Sequence, residues 1–196
     1  MDSARRRVSP ETDDRELVSA SLSGNLRAYE LLVRRYQKIV YNMLYQMVRS
    51  HEQAADLTQE TFLRAFRGLS GFKKEAPFKP WLLRIATNAC LNELRDRKPT
   101  DSLEEMLEEN PNQEPAAKDN VELEVEQRIT QLKLNEALIH LSARQRQVFV
   151  LRYVHDLPYD QIGAITGQPV TTIKPLLFRI RERLRRIMLA GTTSSA

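Results

Sequence analysis

The most regularly spaced functional residues in this sequence are suited to gripping a ligand, not to transforming one. Trp81, Arg84, Asn88, Asn92 and Arg95 recur at intervals of three and four. At about 3.6 residues per turn they share one ridge of a helix. Bases stack on aromatic rings, amides read base edges and guanidinium groups follow phosphate, so such a ridge suits single-stranded nucleic acid. The loop before it, SGFKKEAPFKP, adds Lys73, Lys74 and Lys79 together with Phe72 and Phe78. The same pattern also has a structural reading, in which Trp81 packs inward at the helix start and the amides and arginines are merely solvated. A second cationic group lies near the C-terminus. Lys174, Arg181 and Arg185 stand opposite an apolar stripe of Ile173, Leu177, Ile180, Leu184 and Ile187, with Arg179, Arg183 and Arg186 on the flanks.

Other chemistries find little support. No nucleophile is paired with a base, and no glycine loop is built to cradle phosphate. His51, His140 and His155 are scattered without metal-ligand spacing, so neither a metal nor a cofactor is expected. Cys90 is the single cysteine, which excludes a disulfide framework within the chain and fits a reducing, cytoplasmic setting. No apolar run approaches a membrane span, and no signal peptide is expected. The expectation is a protein that is not an enzyme and does not insert into a membrane.

The formal charge of +4 over 196 residues hides an uneven distribution. Residues 1–98 carry +6, residues 99–126 carry −9 and residues 127–196 carry +7. Two basic blocks flanking an acidic one point to a polyanionic partner for the blocks.

The elements that must position these groups are helical. After a polar tail at 1–12, a helix from Asp13 puts Leu17, Ala20 and Ser21 inward and ends at Gly24. A long helix from about Leu26 to Val48 carries a wide apolar stripe that suits burial in a bundle. The next, from Ser50 to Leu69, places Leu57, Thr61, Phe62, Ala65, Phe66 and Leu69 on one side. Asp56, Gln59, Glu60, Leu63 and Arg67 share the other. Leu63 is then either one ordinary exposed leucine or the centre of a docking epitope for a partner helix. Trp81 to Arg97 forms the ridge helix, with Leu82, Ile85, Ala86, Ala89, Cys90 and Leu94 buried. Pro99 to about Val125 is acidic and proline-containing, and reads as a flexible linker extended by self-repulsion. Helix resumes near Val121 and runs to about Ile139.

Three short helices follow. Ser142 and Gln145 form a capping box for the first, which runs through Val148, Leu151 and Val154. Asp156-Leu157-Pro158 breaks it. The second buries Ile162 and Ile165 and stops at Gly167. The third starts near Pro169 and carries the cationic face. A short helix, a glycine turn and a basic helix make the helix-turn-helix pattern, whose second helix enters the DNA major groove.

Taken together these segments resemble the small two-domain bacterial sigma factors of the extracytoplasmic-function group, over about residues 13–189. Asp56-Leu57-Thr58-Gln59-Glu60-Thr61-Phe62 is similar to the segment by which that family binds the coiled coil of the RNA polymerase clamp, which would make Asp56, Gln59, Glu60 and Leu63 the docking face. FKPWLLRIATNACLNELRDR, residues 78–97, is similar to the segment that melts and reads the minus-ten promoter element. The resemblance assigns Lys73, Lys74, Phe78, Lys79, Trp81, Arg84, Asn88, Asn92 and Arg95 to that element. LSARQRQVFVLRYVHDLPYDQIGAITG and the following helix are similar to the domain that reads the minus-thirty-five element, through Thr171, Thr172, Lys174, Phe178, Arg179 and Arg181. The polymerase flap and an anti-sigma protein are further partners the resemblance implies. Three departures stand out. Asn92 and Gly163 occupy positions where members usually carry an acidic residue and an alanine. Thr171-Thr172-Ile173-Lys174-Pro175-Leu176-Leu177 replaces the usual Gly-Thr-Val-Lys-Ser-Arg-Leu, which sets a proline inside the recognition helix at a cost of about 3 kcal/mol.

The expected fold is all-α. A tail at 1–12 precedes a helical domain at 13–98, an acidic linker at 99–125, a helix-turn-helix domain at 126–189 and a tail at 190–196. The expected function is that of a sigma factor directing core polymerase to promoter DNA. The alternative is a stand-alone helix-turn-helix regulator with an N-terminal interaction domain.

Overall fold

A computed structural model describes residues 8–73, 75–96 and 132–190. Every regular element among them is helical. The chain divides into two compact units, one built on residues 1–98 and the other on most of 99–196.

The N-terminal unit packs four helices, α1 (Asp14–Leu22), α2 (Leu26–Val48), α3 (His51–Gly68) and α4 (Phe78–Asp96), with a 3-10 turn at Leu69–Gly71 after α3. The first three each start on a side-chain cap. Asp13 accepts from the Arg15 N–H at 2.7 Å, Asn25 from Ala28 at 3.3 Å and Ser50 from Gln53 at 3.3 Å. Each cap satisfies one of the donors a helix start leaves open. α2 ends where Arg49 takes a left-handed conformation, φ 62°. Its N–H returns to the Tyr45 carbonyl at 2.8 Å. The core gathers Leu17 and Val18 of α1, Leu32, Val40, Met43, Leu44 and Met47 of α2, Ala54 and Ala65 of α3, and Leu82, Leu83 and Ala86 of α4. Each fully buried leucine contributes about 1.5–3 kcal/mol of transfer free energy.

Several expectations are corrected here. Val18, beside Leu17, fills the α1 core position, while Ala20 and Ser21 are half-buried. Phe66 is exposed, and its ring meets Tyr29 edge-on at 4.9 Å. α4 begins at Phe78 instead of Trp81, because Pro80 falls in the first turn, where the N–H it lacks would have no partner anyway. Residues 9–12 are not a free tail. They form a turn with the Thr12 N–H bonded to Ser9 O at 3.1 Å, and Arg35 of α2 donates to the carbonyls of Pro10 at 2.5 Å and Thr12 at 2.7 Å.

The C-terminal unit contains a helical segment at 132–139 (α5), then α6 (Ala143–Tyr153), α7 (Tyr159–Thr166) and α8 (Val170–Ala190). The expected start of α5 near Val121 and the linker lie outside the described residues. The capping box at Ser142 and Gln145 is present, with both reciprocal bonds made. α6 ends at Tyr153, so Val154 is a cap residue, 43% exposed and not inward as its spacing implied. Val148 and Leu151 are buried as their spacing implied, and Phe149 and Val150 are buried with them. Arg146, on the buried side of α6, donates to the carbonyls of Leu138 at 3.0 Å, Ile139 at 3.2 Å and Leu141 at 3.3 Å. A cation there satisfies the carbonyls that the end of α5 leaves open.

Candidate nucleic-acid interface

α7 and α8 form the helix-turn-helix. α7 buries Ile162 and Ile165, and Gly167 makes the turn at φ 69°. The Gln168 N–H closes back on the Gly163 carbonyl at 3.1 Å. The turn is so tight that a Cβ on Gly163 would stand 2.7 Å from the Gln168 carbonyl oxygen. Glycine replaces the family's usual alanine here with a local steric reason.

α8 runs from Val170 through Pro175 without a break. The ring removes the N–H that would have bonded the Thr171 carbonyl. Thr171 and Pro175 are both exposed, so water can serve that carbonyl. Ile173, Leu177, Ile180 and Leu184 are buried. Thr171, Thr172, Lys174, Phe178, Arg179 and Arg181 are all exposed on the outer side. Lys174 Nζ lies 5.4 Å from the centre of the Tyr159 ring, and the Arg152 guanidinium lies 5.2 Å from the same ring. Tyr159 of α7 therefore couples α6 and α8 by cation–π contact. Its part was not read from the sequence, since a lone tyrosine at a helix start carries no periodic signal.

On α4, Arg84, Asn88, Asn92 and Arg95 are exposed along one ridge, and Arg95 pairs with Asp96 at 3.3 Å. Trp81 heads that ridge half-buried. Its ring packs on Phe72 at 4.9 Å and Phe78 at 5.5 Å. The inward-packing and base-facing readings of Trp81 thus merge, since one part of the indole is braced and the rest is open. Phe78 does not join it on the surface. It is 3% exposed, packed against Tyr36 at 5.5 Å, and belongs to the core, which removes it from the residues that could stack a base. Lys73 is exposed and Lys79 half-buried, while Lys74 lies outside the described residues.

Beside the loop is a cavity of about 320 Å³, lined by Asp13, Asp14, Tyr36, Phe72 and Lys79 among others. Its floor is a network that sequence periodicity could not show. Asp14 takes an ion pair from Arg35 at 2.6 Å and a hydrogen bond from the Tyr36 hydroxyl. Burial, then the Asp14 hydrogen bond and charge, push the Tyr36 phenol well above its ordinary range.

α3 presents Asp56, Gln59 and Leu63 to solvent, with Leu63 52% exposed and Glu60 half-buried. Glu60 is held by Arg64 at 2.7 Å, one turn on. The apolar side chain therefore stands in a polar face whose charges are locally organised.

These features define a two-unit helical protein with a helix-turn-helix in one unit and an exposed cationic ridge in the other. Comparison with known proteins gives the class. Residues 32–100 match the model of Sigma-70 region 2, and residues 131–184 match that of Sigma-70, region 4. The chain is 31% identical to the RNA polymerase sigma-H factor of Pseudomonas aeruginosa, over 91% of this chain and 95% of that protein. It is 33% identical to the ECF RNA polymerase sigma-E factor of Escherichia coli K12, over 90% and 95%. Among solved structures, it is similar to CnrH in complex with the cytosolic domain of CnrY. The TM-score is 0.68 at 23% identity, covering 90% of this chain and 97% of that one. It is also similar to the sigma factor RpoE in complex with the anti-sigma factor NepR from Bartonella quintana. There the TM-score is 0.63 at 24% identity, covering 82% and 96%.

The chain belongs to the extracytoplasmic-function sigma factors of RNA polymerase. It binds core RNA polymerase and promoter DNA and directs promoter recognition and transcription initiation. That membership displaces the alternative of a stand-alone regulator. No described helix is long and apolar enough to cross a membrane.

Proposed function

We propose how the work is divided among these surfaces. Leu63, flanked by Asp56, Gln59 and Glu60, docks on the clamp coiled coil of core polymerase. The ridge of Trp81, Arg84, Asn88, Asn92 and Arg95, with Lys79 in the first turn of α4 and Lys73 and Lys74 before it, holds the melted minus-ten strand. The cavity beside Lys79 receives a base turned out of the stack. α8 grips the minus-thirty-five duplex through Thr171, Thr172, Lys174, Phe178, Arg179 and Arg181. The protein works in the cytoplasm without chemistry of its own, supplying binding and strand separation to the polymerase. An anti-sigma protein covers these surfaces when the factor is idle, a reading supported by the anti-sigma complex of its Bartonella quintana structural relative.

The observation that carries the minus-ten assignment is the bracing of Trp81. Its partners Phe72 and Phe78 fix the ring, so stacking a base on its open part costs little further ordering. Trp81→Ala and Asn88→Ala should reduce promoter opening, read by permanganate footprinting, far more than polymerase binding, read by fluorescence anisotropy. Equal losses in the two assays would mean that the ridge serves folding and not strand capture.

A further inference from the structure

The face of α8 that points away from the core is apolar over its first half, next to the turn. The buried stripe is Ile173, Leu177, Ile180 and Leu184. At about 100° per residue, the opposite side carries Thr171 and Pro175, with Phe178 beside them, in the first half of the helix, and Glu182 and Arg186 continue the line in the second half. Thr171, Pro175 and Phe178 are all exposed, Phe178 at 57%. A surface helix ordinarily carries its most polar residues along that line. In the first half of α8 the outermost groups are instead a threonine methyl, a proline ring and a phenyl ring. Exposed cations stand on both sides, Lys174 and Arg181 on one and Arg179 on the other. The Arg181 guanidinium lies 6.0 Å from the Phe178 ring centre. That charge marks the occupant as a polyanion, not an apolar protein surface.

A duplex offers few apolar groups to such a face. In the major groove the thymine C5 methyl is the one group read by apolar contact, whereas guanine is read by a bidentate arginine or lysine and adenine by an asparagine or glutamine. None of Thr171, Pro175 and Phe178 has a side chain able to make either bidentate pair.

We propose that Pro175 and Phe178 read thymine methyl groups in the upstream duplex, an inference that rests on the assignment of α8 as the duplex reader. The flanking cations supply phosphate affinity and the apolar centre supplies base preference. The upstream element of this factor's promoters then carries thymines on the strand facing the first half of α8.

The test uses holoenzyme assembled from core polymerase and the full chain. Duplexes are selected from a pool randomised over the upstream element, and each selected thymine is then replaced by deoxyuridine, which removes only the methyl group. At one or more positions the replacement should lower affinity about fourfold, the factor that burying one methyl's worth of apolar surface supplies. Phe178→Ala should bind thymine and deoxyuridine duplexes equally at one of these positions, while Phe178→Leu keeps a difference. The side chain is exposed, so both variants should fold. If an upstream element is selected but deoxyuridine is neutral at every thymine, methyl reading is refuted and the duplex assignment stands. If no upstream element is selected, the duplex assignment itself fails and the inference falls with it.

Discussion

Replacing Gly163 by alanine, the residue usual at this position in the family, should destabilise this protein. Alanine is the better helix former by about 0.5–1 kcal/mol, so propensity alone calls for a gain. Geometry opposes it. The new Cβ would stand 2.7 Å from the Gln168 carbonyl oxygen, and ordinary contact begins at 3.4 Å. The turn must therefore open by about 0.7 Å, the difference of those two distances. The neighbour is backbone, not a flexible side-chain end, and the same segment is pinned by the Gln168-to-Gly163 bond of 3.1 Å. Overpacking of this kind costs about 1–3 kcal/mol, so subtracting the propensity gain leaves a net loss of about 0–2.5 kcal/mol, with a midpoint of about 1 kcal/mol. In a unit of this size the midpoint loss lowers its melting temperature by roughly 4–8 °C. Circular dichroism melts of the wild type and Gly163→Ala check it, followed by minus-thirty-five binding to see whether α8 has been re-aimed. An unchanged or higher melting temperature would refute the reasoning, because the turn would then be free to relax.

Leu63→Arg should weaken association with core polymerase at least tenfold in a titration while leaving the melting curve in place, since the side chain is already 52% exposed; undiminished binding would dismiss the docking face. Pro175→Ala restores a donor to the Thr171 carbonyl and should stabilise the C-terminal unit by about 1–3 kcal/mol, read as an upward shift of its melting or denaturant midpoint. The Tyr29 phenol, whose hydroxyl donates to the Phe62 carbonyl at 2.5 Å, is pushed up to about 12 by burial. A raised folded-state pKa means stability is intact below the ordinary phenol value of about 10 and is lost as pH rises toward 12. Tyr29→Phe should flatten that alkaline loss in pH-dependent denaturant melts, and an unaltered slope would assign it to another group.

The sequence determined what depends on chain-local physics. The cap at Ser142, the helix starts near Asp13 and Ser50, the glycine stop at Gly167 and the apolar stripes of α2 and α8 could be read directly. Their causes are spacing and side-chain type within one turn. The exposure of Leu63, Asn88 and Arg179 was legible for the same reason, because a helix face opposite an apolar stripe is solvent-facing. What lay beyond it were contacts between segments far apart in the chain. Phe78 had the appearance of a loop aromatic free to stack on bases, and only the packing of α2 against α4 shows its ring against Tyr36 in the core. Residues 9–12 had the composition of a tail, yet Arg35, more than twenty positions on, holds their carbonyls. Trp81 could be read in two ways because a wheel fixes direction and not neighbours. Its bracing by Phe72 and Phe78 is a tertiary fact. Periodicity ranks faces by polarity, while burial is decided by what the rest of the fold brings to each face.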